Sequence, residues 1–309
     1  MILRLMPGQR SRRTQNTVTA AGFLLPNLLG FFAFTAVPLV FSLVMAFTNW
    51  EMTATRAPEF VGLANFGDLL HDRRFWHFFG NTAYLMMGIP LSIAGSVLLA
   101  VILSQKLRGL VFWRTLYYLP TITSGVALFL LWKTIYNPEF GPLNSLLRGA
   151  MASLGVDGKP PDWLLDVKWA KPAIMLMGVW TAIGGTNMLL YLAALSNVPP
   201  ELTEAAAIDG AGPWARFRHV TWPQLAPTTF FIVVMSCIGG LQGGFEQARV
   251  MTNGGPAEST VTLGYHIYMK GFEEFQLGYA SAIAWVLFVV IFAMTLVNWR
   301  FGQAHTEWQ

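Results

Sequence analysis

Reading from one charged residue to the next divides the chain into stretches that carry no Asp, Glu, Lys or Arg. Six are long: Thr14–Trp50, Phe75–Gln105, Thr115–Trp132, Pro172–Pro200, His219–Phe245 and Phe275–Trp299. Each has 18 residues or more, and a helix needs about 20 predominantly apolar residues to cross a hydrocarbon core of ~30 Å. In lipid every backbone N–H must be satisfied within the segment, so each stretch is expected to be a helix. The third is the shortest and contains Pro120; its helix is expected to start near Phe112, with Arg114 snorkelling to the interface. Spans are therefore placed near 19–47, 78–104, 112–135, 171–195, 226–246 and 279–300, between short tails over 1–18 and 301–309.

Composition excludes the competing classes. Hydrophobic residues make up 54% of the 309 positions and charged residues only 12%, against about 25% charged in ordinary soluble domains. A soluble fold could not cover its surface with so few charges, and 14% aromatic content excludes a disordered polymer. A single cysteine, Cys237, allows no internal disulfide, and His77, His219 and His266 are too scattered for a metal site. No phosphate-cradling G-x-x-x-x-G-K-[ST] sequence occurs, so no nucleotide site is expected in this chain. The apolar body after Arg10, Arg12 and Arg13 is far longer than a signal-peptide core and is expected to stay as the first span.

An even number of spans places both termini on one side. With the termini inside, Arg4, Arg10, Arg12, Arg13, Lys106, Arg108, Arg114, Arg216, Arg218 and Arg300 are inside, half of the 20 basic residues. The inside segments are the shorter ones, so their basic density is higher, which favours cytoplasmic termini. The outside segments are then Glu51–Arg74, Lys133–Lys171 and Glu246–Glu274, the second with a short helix expected near Leu143–Ala150. Trp132, Trp299 and Trp308 are expected in the interfacial aromatic belt.

One inside loop, over 199–223, is more than a turn. Pro200 suits a first helical turn, Glu201 and Glu204 favour its N-terminal end, Ala205 to Ala207 propagate it, and Gly210 can end it in a left-handed cap. Gly212-Pro213 is expected to restart a second short helix that Pro223 closes before the fifth span. Small residues permit close approach, and Glu204 and Asp209 supply charge for a basic partner. The alternative from the residues alone is a solvated helix that merely joins two spans.

Glu204-Ala205-Ala206, then Gly210, then Val220-x-Trp222-Pro223 resembles the signature E-A-A-x3-G-x9-I-x-L-P of ABC importer permeases, with Val for Ile and Trp for Leu. Further landmarks follow in the order of the maltose/glycerol-3-phosphate branch of carbohydrate permeases. They are Phe60-Val61-Gly62-Leu63-Ala64-Asn65-Phe66, Tyr118-Leu119-Pro120, Tyr136-Asn137-Pro138-Glu139-Phe140-Gly141, Thr252-Asn253-Gly254-Gly255-Pro256 and Gly278-Tyr279-Ala280-Ser281-Ala282. Trp180, Gly184 and Asn187 also fit ahead of the signature, and the whole covers about residues 20 to 300.

The resemblance implies an all-α integral membrane protein of six transmembrane helices. Its second to sixth spans would form the five-helix core of a type I importer permease, and the first would wrap a partner. It implies that Glu204, Ala205, Ala206, Asp209, Gly210 and Pro223 belong to a cytoplasmic coupling loop that docks on an ATPase subunit. The implied partners are a second related permease, two ATP-binding cassette ATPase subunits that hold the ATP and Mg, an extracytoplasmic substrate-binding protein and the lipid bilayer, with no nucleic acid. The implied location is the cell (inner) membrane of a bacterium or archaeon, and the chain itself is not an enzyme.

A transported substrate would sit near mid-membrane, where polar groups are costly and therefore informative. Asn187, Gln242 and Glu246 are candidate partners for sugar hydroxyls, and Trp180, Phe245 and Trp285 for the flat apolar faces of a sugar ring, with Gly184 leaving room. One glycine more than the family pattern stands between Gln242 and Phe245. The glycines have a competing explanation in helix packing. Within this reading a sugar is expected, with glycerol-3-phosphate or a related phosphodiester as the alternative. An ion-coupled secondary transporter would need ionisable residues buried mid-span, and an enzyme would need clustered acid–base groups. The charge-free runs supply neither.

Overall fold

The structure, a computed structural model, describes residues 7–53, 57–105 and 107–306; Arg4, Lys106 and Trp308 lie outside the described residues. Among those residues, five helices are long and apolar enough to cross a membrane: Thr19–Ala46 (span 1), Arg73–Leu103 (span 2), Val167–Ser196 (span 4), Pro213–Gln242 (span 5) and Leu277–Arg300 (span 6). Span 3 is two helices, Leu110–Ile122 and Gly125–Ile135, bent by 101° where they meet. Thr123 and Ser124 between them are extended, at ψ 141° and 131°. Pro120 cannot donate to the ladder, and the polar run Thr121-x-Thr123-Ser124 competes for backbone partners, so the helix stops at mid-depth.

Span 2 is the centre of the bundle. Its lower half packs Ile93, Val97, Ala100 and Leu103 against Met188, Tyr191 and Leu192 of span 4 and Leu225 and Ile232 of span 5. Its other half joins Phe75 and Phe78 to Leu263 and Tyr265 of the segment between spans 5 and 6 and to Ile283 and Leu287 of span 6. Between spans, Ser96 Oγ donates to the Ala182 carbonyl at 3.3 Å and Tyr191 Oη to Thr229 Oγ1 at 3.1 Å. Such bonds average only about 0.6 kcal/mol in membranes, so close packing of small residues decides the arrangement. Gly184 is the plainest case, because a Cβ there would collide with the Tyr117 carbonyl of span 3. Span 1 stands apart, nearly all exposed; it lies along span 6, where Trp285 Nε1 donates to Ser42 Oγ at 3.3 Å.

Two expectations are corrected here. Span 5 does not begin near 226 after a separate short helix; Pro213 to Gln242 is one continuous helical path. A proline inside a helix clashes with the carbonyl four residues back, here that of His219. The widened π turn Phe217–Thr221 relieves that clash, so the helical path continues through Pro223 and does not close there. At the other end the helix stops at Gln242, short of 246, because Gly243 is extended and Gly244 left-handed (φ 88°) before a new helix Phe245–Met251. Arg114 does not snorkel freely either: its Nη2 donates to the Leu103 carbonyl at 3.0 Å and caps span 2.

The helices extend into both assigned tails, one starting at Pro7 and the last running to Thr306. The segment between spans 3 and 4 carries the helix Pro142–Ser153. Asn144 anchors it, accepting from Trp163 Nε1 at 2.7 Å and donating to the Pro161 carbonyl at 3.1 Å. Tyr136, just beyond span 3, donates to the Ala173 carbonyl at 2.8 Å, and burial pushes its phenol above the ordinary range. The segment between spans 5 and 6 is clamped to span 2 by Asn81 Nδ2, which donates to the Glu258 and Val261 carbonyls at 3.0 and 2.9 Å. His266 packs edge-on against Phe78 there, and burial pushes its pKa down to about 4, so it is neutral at physiological pH.

Candidate functional site

The helix interruptions converge on one cavity of about 500 Å³, within the ordinary range for a small-ligand site. Span 3 contributes Thr121, Thr123 and Gly125 from either side of its bend. Span 4 contributes Thr181 and, after its own break at Gly185 (φ −84°, ψ −146°), Thr186 and Asn187. Span 5 adds Ser236, and Gln247 enters from the helix that follows the Gly243-Gly244 break. A second recess of about 270 Å³ adjoins it, sharing Gly178, Ala182, Ser236 and Gln247 and reaching Ser92 of span 2.

Non-helical backbone at membrane depth is tolerated only where it lines a cavity or is covered by protein, so these breaks and the cavity explain each other. Each restart leaves N–H groups at the first turn without intrahelical partners, and neither Gly125–Ile135 nor Thr186–Ser196 has a side-chain cap. Among the described residues the amides of Asn187 and Gln247 hydrogen-bond to nothing in the protein. Thr181 Oγ1 is engaged, donating to the Met177 carbonyl at 2.9 Å. The lining thus presents neutral donors and acceptors beside the apolar Leu128, Phe129 and Met177, with no charged side chain among them.

The residues expected to form the pocket part company. Asn187 lines the cavity. Glu246 stands at its edge, with Oε2 3.3 Å from where a Cβ on Gly125 would sit. Gly184 is buried against Tyr117 and opens no space. Trp180 packs edge-on against Trp132 at 5.4 Å, which places Trp132 inside an aromatic cluster and not only in an interfacial belt. Gln242 is exposed at the end of span 5 and lines neither recess. Phe245 packs at a tilt against Tyr268, with ring centres 4.7 Å apart, and Trp285 faces span 1. Thr121, Thr123, Ser236 and Gln247 were not among the residues expected to touch substrate. The available signal was the run of hydroxyl residues directly after Pro120, which marks a break inside an otherwise apolar span.

At the opposite end of span 4 the helix Pro200–Ile208 starts with Pro200 in its first turn and Glu201 just behind it. Its end is a Schellman cap: Ala211 N–H donates to the Ala206 carbonyl at 2.9 Å and Gly210 N–H to that of Ala207 at 3.1 Å. Gly210 has φ 82°, which glycine adopts without steric cost. None of the helix's residues is buried, and Ile208 is 87% exposed although it is the most apolar among them. Glu204, Ala205 and Asp209 are exposed and Ala206 half-buried, while Pro223 belongs to span 5. A mere connector would turn Ile208 inward.

A family model described as "binding-protein-dependent transport system inner membrane component" matches residues 5–303. The chain belongs to that family. It is therefore the membrane permease of an ABC importer, and its relatives agree. The probable ABC transporter permease YesP of Bacillus subtilis (strain 168) is 35% identical over 96% of this chain and 93% of its own length. The lactose transport permease LacF of Rhizobium radiobacter is 32% identical over 89% of this chain and 91% of its own length. The sn-glycerol-3-phosphate transport permease UgpA of Yersinia enterocolitica is 34% identical over 81% of this chain and 83% of its own length. A chain of a bacterial ABC transporter that imports the acidic polysaccharide alginate has the same fold, with a TM-score of 0.82 at 22% identity over 96% of this permease and 99% of that chain.

Proposed function

We propose that this permease carries a neutral mono- or oligosaccharide, delivered by an extracytoplasmic binding protein, through the cavity at the breaks of spans 3 and 4. The observation that carries the reading is the cavity's lining of hydroxyls and two free side-chain amides without a charged side chain. A saccharide offers paired hydroxyls to such groups and an apolar ring face to Phe129. The alternative cargo, glycerol-3-phosphate or a related phosphodiester, is supported by the UgpA relatives. A phosphate dianion calls for Arg or Lys. The nearest candidate, Arg249, is taken up elsewhere: its Nη1 lies 3.0 Å from Glu273 Oε1 and its guanidinium 4.4 Å from the Tyr268 ring centre. The carboxylate of Glu246 at the cavity's edge would repel an anion. Identification of the ligand on the co-purified binding protein tests this directly. A neutral saccharide that stimulates ATP hydrolysis by the assembled transporter is the expected result, and a phosphate ester in that role overturns it.

In this reading ATP and Mg bind to two separate ATPase subunits, which receive the exposed helix Pro200–Ile208 of this chain and its counterpart on a second, related permease. Both termini and that helix are cytoplasmic, and span 1 lies along the partner permease. In a Cys237→Ser background, cysteine at Ser153 should react with an impermeant thiol reagent from outside the cell, and cysteine at Ala211 only after permeabilisation. Labelling of position 211 in intact cells reverses the orientation.

A further inference from the structure

Most of the buried polar side chains among the described residues meet at one seam, between span 2 and the segment that joins spans 5 and 6. Span 2 brings Asn81 and Thr82, and the segment brings Ser259, Thr260, Thr262 and His266, none more than 2% exposed. The bonds across the seam run from side chain to backbone. Asn81 Nδ2 donates to the Glu258 and Val261 carbonyls. Thr82 Oγ1 accepts from Leu263 N–H at 3.0 Å and donates to the Phe78 carbonyl at 2.9 Å. Leu263 opens the helix Leu263–Tyr268, so its N–H has no partner within that helix. A buried backbone group left unpaired is costly, so span 2 dictates where the segment sits. Apolar contact alone would let it slide, whereas directional bonds at Val261 and Leu263 fix one register.

The segment in turn holds the helix Phe245–Met251 at both ends. At the start, Gly244 lies so close to Thr262 that a Cβ on it would stand 2.5 Å from the Thr262 methyl. A Cβ on Gly264 would stand 3.0 Å from the Gln242 carbonyl oxygen, so the break in span 5 is seated directly on this segment. At the far end, Gly254 N–H donates to the Ala248 carbonyl at 3.1 Å, and the Thr252 and Thr260 hydroxyls are 2.6 Å apart. Tyr265 Oη donates to Asn253 Oδ1 at 3.1 Å, and its ring packs edge-on against Phe245 at 5.6 Å. Gln247 rides on the helix held in this way and lines both recesses, whereas Asn81 and Thr82 line neither. On the reading that Gln247 meets the cargo, we infer that Asn81 and Thr82 are positioning residues for transport. Through Val261–Gly264 and the Gly244 turn they set the place at which the Gln247 amide meets a sugar hydroxyl.

A double-mutant cycle on transport by the reconstituted complex tests this, with assembly yield measured beside it. Asn81→Ala should slow transport about 5-fold or more, because a displaced amide forfeits its bond to the cargo. In a Gln247→Ala background the same substitution should slow it less than about twofold further, since residues that act through one another are not additive. A role in stability alone gives the same factor in both backgrounds. Thr82→Val, which keeps the shape and removes the acceptor, should repeat both results, and Thr82→Ser, which keeps the acceptor, should restore transport. A native rate in Asn81→Ala overturns the inference alone, as does an undiminished Asn81→Ala effect beside a slow Gln247→Ala variant. A normal Gln247→Ala variant overturns it together with the reading of Gln247 as a cargo contact. Failure of both Asn81→Ala and Thr82→Val to assemble makes the seam structural and overturns it as well.

Discussion

Glu204→Lys is expected to leave the permease inserted and assembled while reducing substrate-stimulated ATP hydrolysis about tenfold or more, because reversing a charge in a docked surface opposes its partner directly. The helix carrying Glu204 has no buried residue of its own, so the substitution disturbs no packing within this chain. Gly210→Val should have the same effect by another route. Its φ of 82° is strained for any side chain and most of all for a β-branched one. Loss of that cap frees the Ala206 and Ala207 carbonyls and unravels the last turn, moving Asp209 and Ile208. The measurement is ATPase activity of the reconstituted transporter with saturating binding protein, beside complex yield by size exclusion. Wild-type stimulation in both assembled variants would move the coupling contact elsewhere.

Asn187→Ala and Gln247→Ala should each slow transport about 5- to 100-fold. Each removes an amide that no protein group uses, and a substrate hydroxyl left buried without its partner costs about 1–3 kcal/mol. Basal ATP hydrolysis and complex yield should stay near normal, since no interhelical bond is lost. Gln242→Ala is the internal comparison: exposed at the end of span 5 and outside both recesses, it should slow transport less than either. A severe Gln242 defect beside normal Asn187 and Gln247 variants would put the substrate path on the other side of the Gly243-Gly244 break.

The number of membrane-crossing segments, the helix Pro200–Ile208 with its cap, and membership of a permease family were all legible in the chain. Each rests on local properties. A charge in hydrocarbon is expensive wherever the neighbouring helices lie, and a proline start with a glycine end defines a helix by backbone sterics alone. The cavity was not legible in the same way. Asn187, Gln242 and Trp180 are equally polar or aromatic residues inside apolar runs, and periodicity cannot say which face meets empty space. That was decided by Pro120 and the polar run behind it, which turn span 3 through 101°. It was decided also by Gly185 and Gly243-Gly244, which interrupt spans 4 and 5. Those breaks carried Asn187 and Gln247 to a common space and left Gln242 outside it, an outcome set by helix directions in three dimensions. The π turn before Pro223 made the same point in reverse. A proline read as a stop lies within a continuous helical path, because a widened turn relieved the clash that ordinary helical spacing would have imposed.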